Sequence, residues 1–230
     1  MSINNIFTSD EIQKLYYDKV KLPESYFTKY SKVPRCPVGA FNHDWANHDY
    51  PRNCAILDFI EWISTHDISI ENLAYTCTSD PELEFIFPEN KTLLSYPEYD
   101  LHSLPSHLKN TFDFFLFNQT IEHLYNPFDA LKQIYDTLKP GGYVFTSVPT
   151  INIPHDFPIH FNGFTPMGLA MLFKTANFDI VEIGQWGNLD YINKLWANHD
   201  WPGYNSLHNN GYVVNEERNV CQCWILAKKL

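Results

Sequence analysis

Apolar and polar positions follow different patterns in the first fifty residues and in the rest of the chain. Residues 8–17 have apolar side chains at helical spacing behind a capping Thr8 or Ser9, which predicts a short helix. Prolines then interrupt an aromatic-rich stretch up to about Pro51. We therefore predict an N-terminal extension or cap over residues 1–50 and one folded domain over residues 51–230.

From residue 72 onward, short apolar runs alternate with helical segments, a pattern typical of an α/β sheet with crossover helices. A helix over residues 54–63 precedes this region. Strands are predicted at 73–77, 91–96, 112–118, 143–148, 179–183 and 220–227. Asn126 and Pro127 begin one intervening helix, and Thr165 begins another. Because residues 112–118 are apolar at nearly every position, this strand is expected at the centre of the sheet.

Composition excludes several classes of protein. The chain has 230 residues, 44% of them hydrophobic, and no apolar run is long enough to span a bilayer. Its formal net charge of -11 disfavours binding to nucleic acid. The N-terminus lacks the pattern of a secretory signal, so a cytoplasmic location is expected. Five cysteines fit reduced, buried thiols, including Cys221 and Cys223, better than a disulfide framework.

The region after the predicted central strand carries recognisable motifs. Residues 118–124 read Asn-Gln-Thr-Ile-Glu-His-Leu, an Asn-Pro pair follows, and residues 138–142 read Leu-Lys-Pro-Gly-Gly. This order resembles the second half of the class I S-adenosylmethionine-dependent methyltransferase core. Residues 99–105 resemble the acidic element that precedes the family's fourth strand. The resemblance covers about residues 100–228 and implies a doubly wound, mostly parallel, Rossmann-like sheet.

The resemblance implies S-adenosylmethionine as cofactor. In open α/β sheets, ligands bind beyond the carboxyl ends of the strands. The loops there supply these candidate cofactor-binding residues: Thr78, Ser79, Asp80, Asp100, Leu101, Asn118 and Gln119.

The family's first motif is a glycine-rich turn, whereas this chain has no glycine between Gly39 and Gly141. The equivalent turn lies at residues 76–82. Either it binds the cofactor with hydroxyl groups and the amides of a short helix, or the cofactor pocket has been lost. Asp80 is expected to cap that short helix.

Methyl transfer to a hydroxyl group requires a base, and histidine suits that role near neutral pH. His123, His155 and His160 all lie in loops assigned to the crevice, with Asp156 available to orient one of them. Each histidine has the alternative of a structural role. A metal site built from His155, His160 and Asp156 lacks a fourth ligand, so no metal is predicted.

Two functions are consistent with these sequence features. The first is O-methylation of a small polar acceptor such as a sugar or glycan, with residues 184–188, Trp196 and Trp201 either bordering the acceptor or filling their own small core. The second is a non-catalytic methyltransferase-like binding or scaffold module. A small-molecule or glycan partner is expected, with no nucleic-acid or membrane partner.

Overall fold

The computed structural model describes residues 7–30, 43–155, 159–207 and 213–230. Its centre is a six-stranded mixed sheet flanked by helices. The strands are β1 (Asn72–Tyr75), β2 (Asn90–Leu93), β3 (Phe112–Leu116), β4 (Leu138–Pro149), β5 (Phe178–Gly187) and β6 (Val220–Lys229). The α-helices are α1 (Ser9–Leu15), α2 (Glu24–Thr28), α3 (Tyr50–Thr65), α4 (Pro127–Thr137), α5 (Pro166–Thr175), α6 (Leu189–Asn198) and α7 (Tyr204–Leu207).

The strands lie in the order β2-β1-β3-β4-β6-β5. β1 to β4 pair in parallel, whereas β6 runs antiparallel between β4 and β5. The predicted central position of β3 is confirmed, and Phe114, Phe115 and Leu116 are fully buried. The predicted doubly wound, mostly parallel sheet is confirmed as well.

Local sequence signals account for the beginnings of helices α4 and α5. The Asn126 side chain accepts a hydrogen bond from the Asp129 amide and begins α4, and Thr165 accepts one from the Gly168 amide and begins α5. Gly141, at φ +82°, lies where the register between β3 and β4 shifts. The motif at 138–142, which precedes the predicted strand at 143–148, therefore belongs to the longer strand β4 and contains a bulge.

The sheet differs from the resembled family in one place and from the prediction in another. β1 and β2 are joined only by a turn of 3₁₀ helix (Pro81–Glu84), so β3 is the third strand where the resemblance counts a fourth. Residues 184–187, predicted to follow a strand, belong to β5. Gly184 is needed there because a Cβ would lie 2.2 Å from the Trp224 indole nitrogen.

Two apolar clusters cover the faces of the sheet. One contains Phe115, Ile134 and Leu169, and the other contains Phe59 of α3 and Trp224. Buried Asp58 of α3 joins the N-terminal segment to the second cluster by accepting hydrogen bonds. Its donors are Tyr26, Lys29, Tyr30 and Trp224.

The described part of the N-terminal region thus packs on the domain, and the division at residue 50 stays a prediction. Within the described residues, no helix has the length and apolar character needed to cross a membrane.

Candidate functional site

A cavity of about 440 Å³ opens beyond the carboxyl ends of β1, β2 and β3. Apolar side chains dominate its walls, and a few polar groups point into it. The lining residues are Thr76, Leu94, Ser95, Tyr96, Tyr99, Asp100, Leu101, His102, Thr120, His123, Leu124, Tyr125, Ile159 and Phe161. Of the predicted site residues, Asp100, Leu101 and His123 therefore line the cavity. Its volume and mixed lining are those of a small-molecule site.

Asp100 presents an ionised carboxylate at the edge of the cavity. Its Oδ1 accepts hydrogen bonds from the backbone amide of His102 at 2.9 Å and from the His102 ring at 2.8 Å. These bonds, that of the backbone amide first, lower the pKa of Asp100. The His102 ring in turn stacks on Tyr125 at 4.1 Å between ring centroids. The loops after β2 and β3 thus meet at one wall of the cavity.

The glycine-free turn after β1 presents one hydroxyl group to the cavity. Thr76 Oγ1 lies 3.0 Å from Thr120 Oγ1, and both residues line the cavity. Thr78 and Ser79 are exposed and lie outside its lining. Their assignment to the cofactor remains a prediction, now with Thr76 as the hydroxyl residue nearer the cavity.

Behind this turn lies a buried ionic network centred on Arg52 of α3. The guanidinium donates to Asp80 Oδ1 at 3.2 Å, Glu82 Oε2 at 3.0 Å and Ser147 Oγ at 2.5 Å. Burial, and then the nearby charge of Glu82, raise the pKa of Asp80 to about 7 against the opposing effect of Arg52. Asp80 does not cap the following helical turn with its side chain, so that expected role is wrong. Its carboxylate instead helps to anchor the turn to α3 and β4.

Asn118 and Gln119 follow β3 and bond to the same serine of β4. Asn118 Oδ1 accepts from the Ser147 amide at 2.9 Å, and Gln119 Nε2 donates to Ser147 Oγ at 3.1 Å. Neither residue is part of the cavity lining. These contacts join the end of β3 to β4, and the binding of the cofactor by the two amides stays a prediction.

The three predicted catalytic histidines come together beside the cavity. The ring centroids of His123 and His155 are 5.0 Å apart, those of His123 and His160 are 5.6 Å apart, and those of His155 and His160 are 4.6 Å apart. Backbone bonds between two loops hold them there, since the amides of Phe161 and Asn162 donate to the Glu122 carbonyl at 2.8 and 3.2 Å. Asp156 lies outside the described residues.

The loop that carries His155 and His160 is closed at its base by backbone contact. Thr150 Oγ1 donates to the Phe164 carbonyl at 2.5 Å, and the Phe164 amide donates to the Pro149 carbonyl at 3.1 Å. Gly163 permits this approach, because a Cβ there would lie 2.5 Å from the Thr150 carbonyl oxygen. The loop therefore returns to the sheet at the end of β4, the strand from which it left.

Hydrogen bonds indicate the tautomer of two of these rings. The Nδ1 atoms of His123 and His155 lie 3.2 and 3.0 Å from the carbonyl oxygens of Ile159 and Ile153. A carbonyl only accepts, so Nδ1 carries the proton in each neutral ring. The lone pair then resides on Nε2, which can accept a proton or bind a metal ion.

Of the aromatic and amide residues predicted to border the acceptor, Trp201 lies beside the three histidines. The ring centroid of Trp201 lies 5.7 Å from that of His155, and its indole N–H donates to Asn152 Oδ1 at 2.9 Å. Trp201 also lines a separate polar cleft of about 170 Å³ with Asn47, Asn198 and Asp200. Trp186 is fully buried and Tyr191 nearly so, and both pack in the core.

Sequence reasoning did not assign Arg52, His102 or Tyr125 to the site, and it included Thr120 only as part of the loop at 118–123. Arg52 gave no local signal because its partners are 28 to 95 residues away. His102 and Tyr125, in contrast, adjoin the motifs of the predicted crevice, and an aromatic residue next to a motif was an available signal.

Comparisons with known proteins agree with this architecture. A family model described as a methyltransferase domain matches residues 43–183. A search of curated proteins finds no match.

Several solved structures have similar folds. The [4+2]-cyclase SpnF is 16% identical with a TM-score of 0.50, covering 96% of both chains. A methyltransferase of Burkholderia thailandensis that acts on N1 of 1,6-didemethyltoxoflavin, solved with S-adenosylhomocysteine, is 13% identical with a TM-score of 0.49, covering 79% of both chains. A SAM-dependent methyltransferase of Thermotoga maritima is 15% identical with a TM-score of 0.47, covering 76% of this chain and 96% of that one.

Proposed function

Since this chain belongs to the methyltransferase-domain family, whose model matches residues 43–183, we propose that it methylates a hydroxyl group of a small polar acceptor such as a sugar or glycan. The observation that carries the proposal is the convergence of the cavity and the three histidines at one edge of the sheet. Oxygen is chosen as the acceptor atom because these histidines can remove the proton of a hydroxyl group.

S-adenosylmethionine is the cofactor of this family, and the cavity suits it. Leu94, Leu101 and Leu124 provide apolar walls for a flat base, while Asp100 can accept a hydrogen bond from an amino group. Thr76 and Thr120 provide hydroxyl groups farther along the cavity. When bound there, the cofactor supplies an electrophilic methyl group on its sulfonium.

Deprotonation of the acceptor is assigned to the histidines, with His123 as the first candidate. His123 lines the cavity, and its Nδ1–H donates to the Ile159 carbonyl, so Nε2 is the proton-accepting atom of the neutral ring. His155 and His160 are the next candidates. Removal of the proton by a positioned base contributes about 10²–10⁴ to the rate of such a reaction.

The neighbourhood of Trp201 supports a polar acceptor. An indole ring beside His155 offers a stacking surface, and the adjoining cleft has the side chains of Asn47, Asn198 and Asp200 as hydrogen-bonding groups. Aromatic faces combined with amides and carboxylates suit the alternating apolar and hydroxyl surfaces of a sugar. A sugar lying against Trp201 would have a hydroxyl close to the histidines.

The alternative, a non-catalytic binding module, has one observation in its favour. The turn that is rich in glycine in the family is here fixed from behind by Arg52, and two of its hydroxyl residues, Thr78 and Ser79, face solvent. The two functions differ in whether the cavity binds the cofactor.

Calorimetric titration with S-adenosylhomocysteine tests the proposal. The wild-type protein is expected to bind it, and Asp100→Ala is expected to weaken binding by roughly 3–10-fold, because the Asp100 side chain is 54% exposed and its hydrogen bonds are partly screened. Glu98→Ala is the matched control, since Glu98 is an exposed acid outside the cavity lining. An absence of binding at millimolar ligand would favour the non-catalytic module.

The catalytic assignment is tested by transfer of a labelled methyl group to a panel of sugars and glycans. His123→Ala is expected to lower kcat by about 10²–10⁴ while affinity for S-adenosylhomocysteine changes little. If His123→Ala, His155→Ala and His160→Ala all retained wild-type turnover, the histidines would have no part in deprotonation.

A further inference from the structure

The three histidines have an arrangement that goes beyond a single catalytic base. One ligand nitrogen from each of His123, His155 and His160 lies within 4.8 Å of the others. In the part of the chain that the structure describes, they form the one group of three or more side chains able to hold a metal ion. We propose that these three histidines bind a divalent transition-metal ion, with Zn²⁺ as the reference case.

One pair of nitrogens already has the separation of two ligands on one ion, and the ion would bind after Nδ1 of His155 gives up the proton that it shares with the Ile153 carbonyl. His155 Nδ1 and His160 Nδ1 are 3.2 Å apart. With Zn–N bonds of about 2.0–2.1 Å, two nitrogens on a tetrahedral zinc ion lie about 3.3 Å apart. All three ligand nitrogens lie within 4.8 Å of one another, so a rearrangement of about 1.5 Å would bring the third nitrogen to the tetrahedral spacing.

The surroundings are those expected around imidazole ligands. Metal-bound histidines usually donate their second ring N–H to a carbonyl or carboxylate, which fixes the ring. The carbonyl of Ile159 accepts from Nδ1 of His123. The buried carboxylate of Glu122 lies 4.0 Å from Nε2 of the same ring. At this distance, the ionised form of the Glu122 carboxyl group would favour a cation held by His123.

Ligand chemistry narrows the type of ion. Imidazole nitrogen suits Zn²⁺, Co²⁺, Ni²⁺ and Fe²⁺, whereas Mg²⁺ and Ca²⁺ prefer oxygen ligands. Three protein ligands leave a position open for water or substrate, the arrangement of catalytic rather than structural zinc sites. Only the task of the ion rests on the proposed function. The ion would bind the acceptor oxygen and lower the pKa of its hydroxyl group, so that the proton would leave to solvent water instead of to His123.

The test measures metal binding alone, on untagged protein dialysed against a chelator. Titration with Co²⁺ is expected to give one equivalent per chain, with the visible absorption of a four- or five-coordinate ion and no near-ultraviolet thiolate band. Zn²⁺ should displace the Co²⁺. His123→Ala, His155→Ala and His160→Ala should each weaken binding by more than the roughly 10–100-fold that loss of a supporting hydrogen bond costs.

His107→Ala is the matched control, because His107 is exposed and lies outside the cluster. His123→Gln provides a second variant should the alanine variant lose its fold, as judged by circular dichroism. Binding below one equivalent, or equal weakening by the His107 variant, would overturn the metal site. Titration with S-adenosylhomocysteine on the same samples keeps the two proposals separate, since a protein that binds Co²⁺ but not this ligand retains the metal site and loses the proposed activity.

Discussion

Replacing Arg52 with methionine tests whether the buried ionic network supports the turn after β1. The side chain of Arg52 is 7% exposed, and it donates to Asp80, Glu82 and Ser147. Methionine preserves much of the apolar stem but leaves two buried carboxylates facing each other without a cation. Removal of one partner from a buried ion pair costs about 3–5 kcal/mol. For a chain of this size, that corresponds to a fall in Tm of roughly 6–20 °C.

Urea unfolding followed by tryptophan fluorescence gives the free energy directly, since Trp186 and Trp224 are fully buried. Arg218→Met is the control, because Arg218 is exposed, and its effect should stay within about 0.5 kcal/mol. Adding Glu82→Gln to Arg52→Met should restore about 1–3 kcal/mol by removing one unpaired charge. A loss below about 1 kcal/mol for Arg52→Met, or a further loss on adding Glu82→Gln, would refute the assigned electrostatics.

Two other predictions concern the core and the pH dependence. Phe115→Ala should destabilise the protein by about 3–5 kcal/mol, because Phe115 is fully buried in the central strand; an unchanged thermal melt would contradict that placement. Burial raises the pKa of Asp49 from 3.8 to about 6, so the native state holds this proton more tightly than the unfolded state. The stability that Asp49 contributes at low pH should be lost as the pH rises through about 6, and Asp49→Asn should remove this loss. Urea midpoints at pH values on both sides of about 6 measure the difference, and parallel curves for the two proteins would count against the assignment.

The sequence predicted correctly those helices and strands that neighbouring residues specify. Asn126 and Pro127 specify the beginning of α4 through a cap and a fixed φ, and both act within one turn. The end of β5 was missed because a glycine at position 184 is typical of a loop. Gly184 serves a long-range contact instead, since it leaves room for the Trp224 indole from β6.

The candidate site was predictable in outline for a similar reason. Loops that leave one edge of a sheet must share a crevice, so His123 and His160 were expected near each other. Which atoms meet depends on backbone bonds such as that from Phe161 to Glu122, and these have no signature in the sequence. Arg52 was missed because a helical sequence alone does not reveal which distant carboxylates will surround one of its side chains.

The position of β6 between β4 and β5 has a consequence for the order in which the molecule is assembled on the ribosome. The parallel half of the sheet, β1 to β4, emerges first and can associate as it is made. β5 emerges next, yet its strand partner is β6, which is synthesised later. Until β6 arrives, the nascent chain exposes one open edge of β4 and an unpaired β5, both surfaces that chaperones or other chains can capture. Translation must therefore proceed into residues 220–229 before the sheet can close.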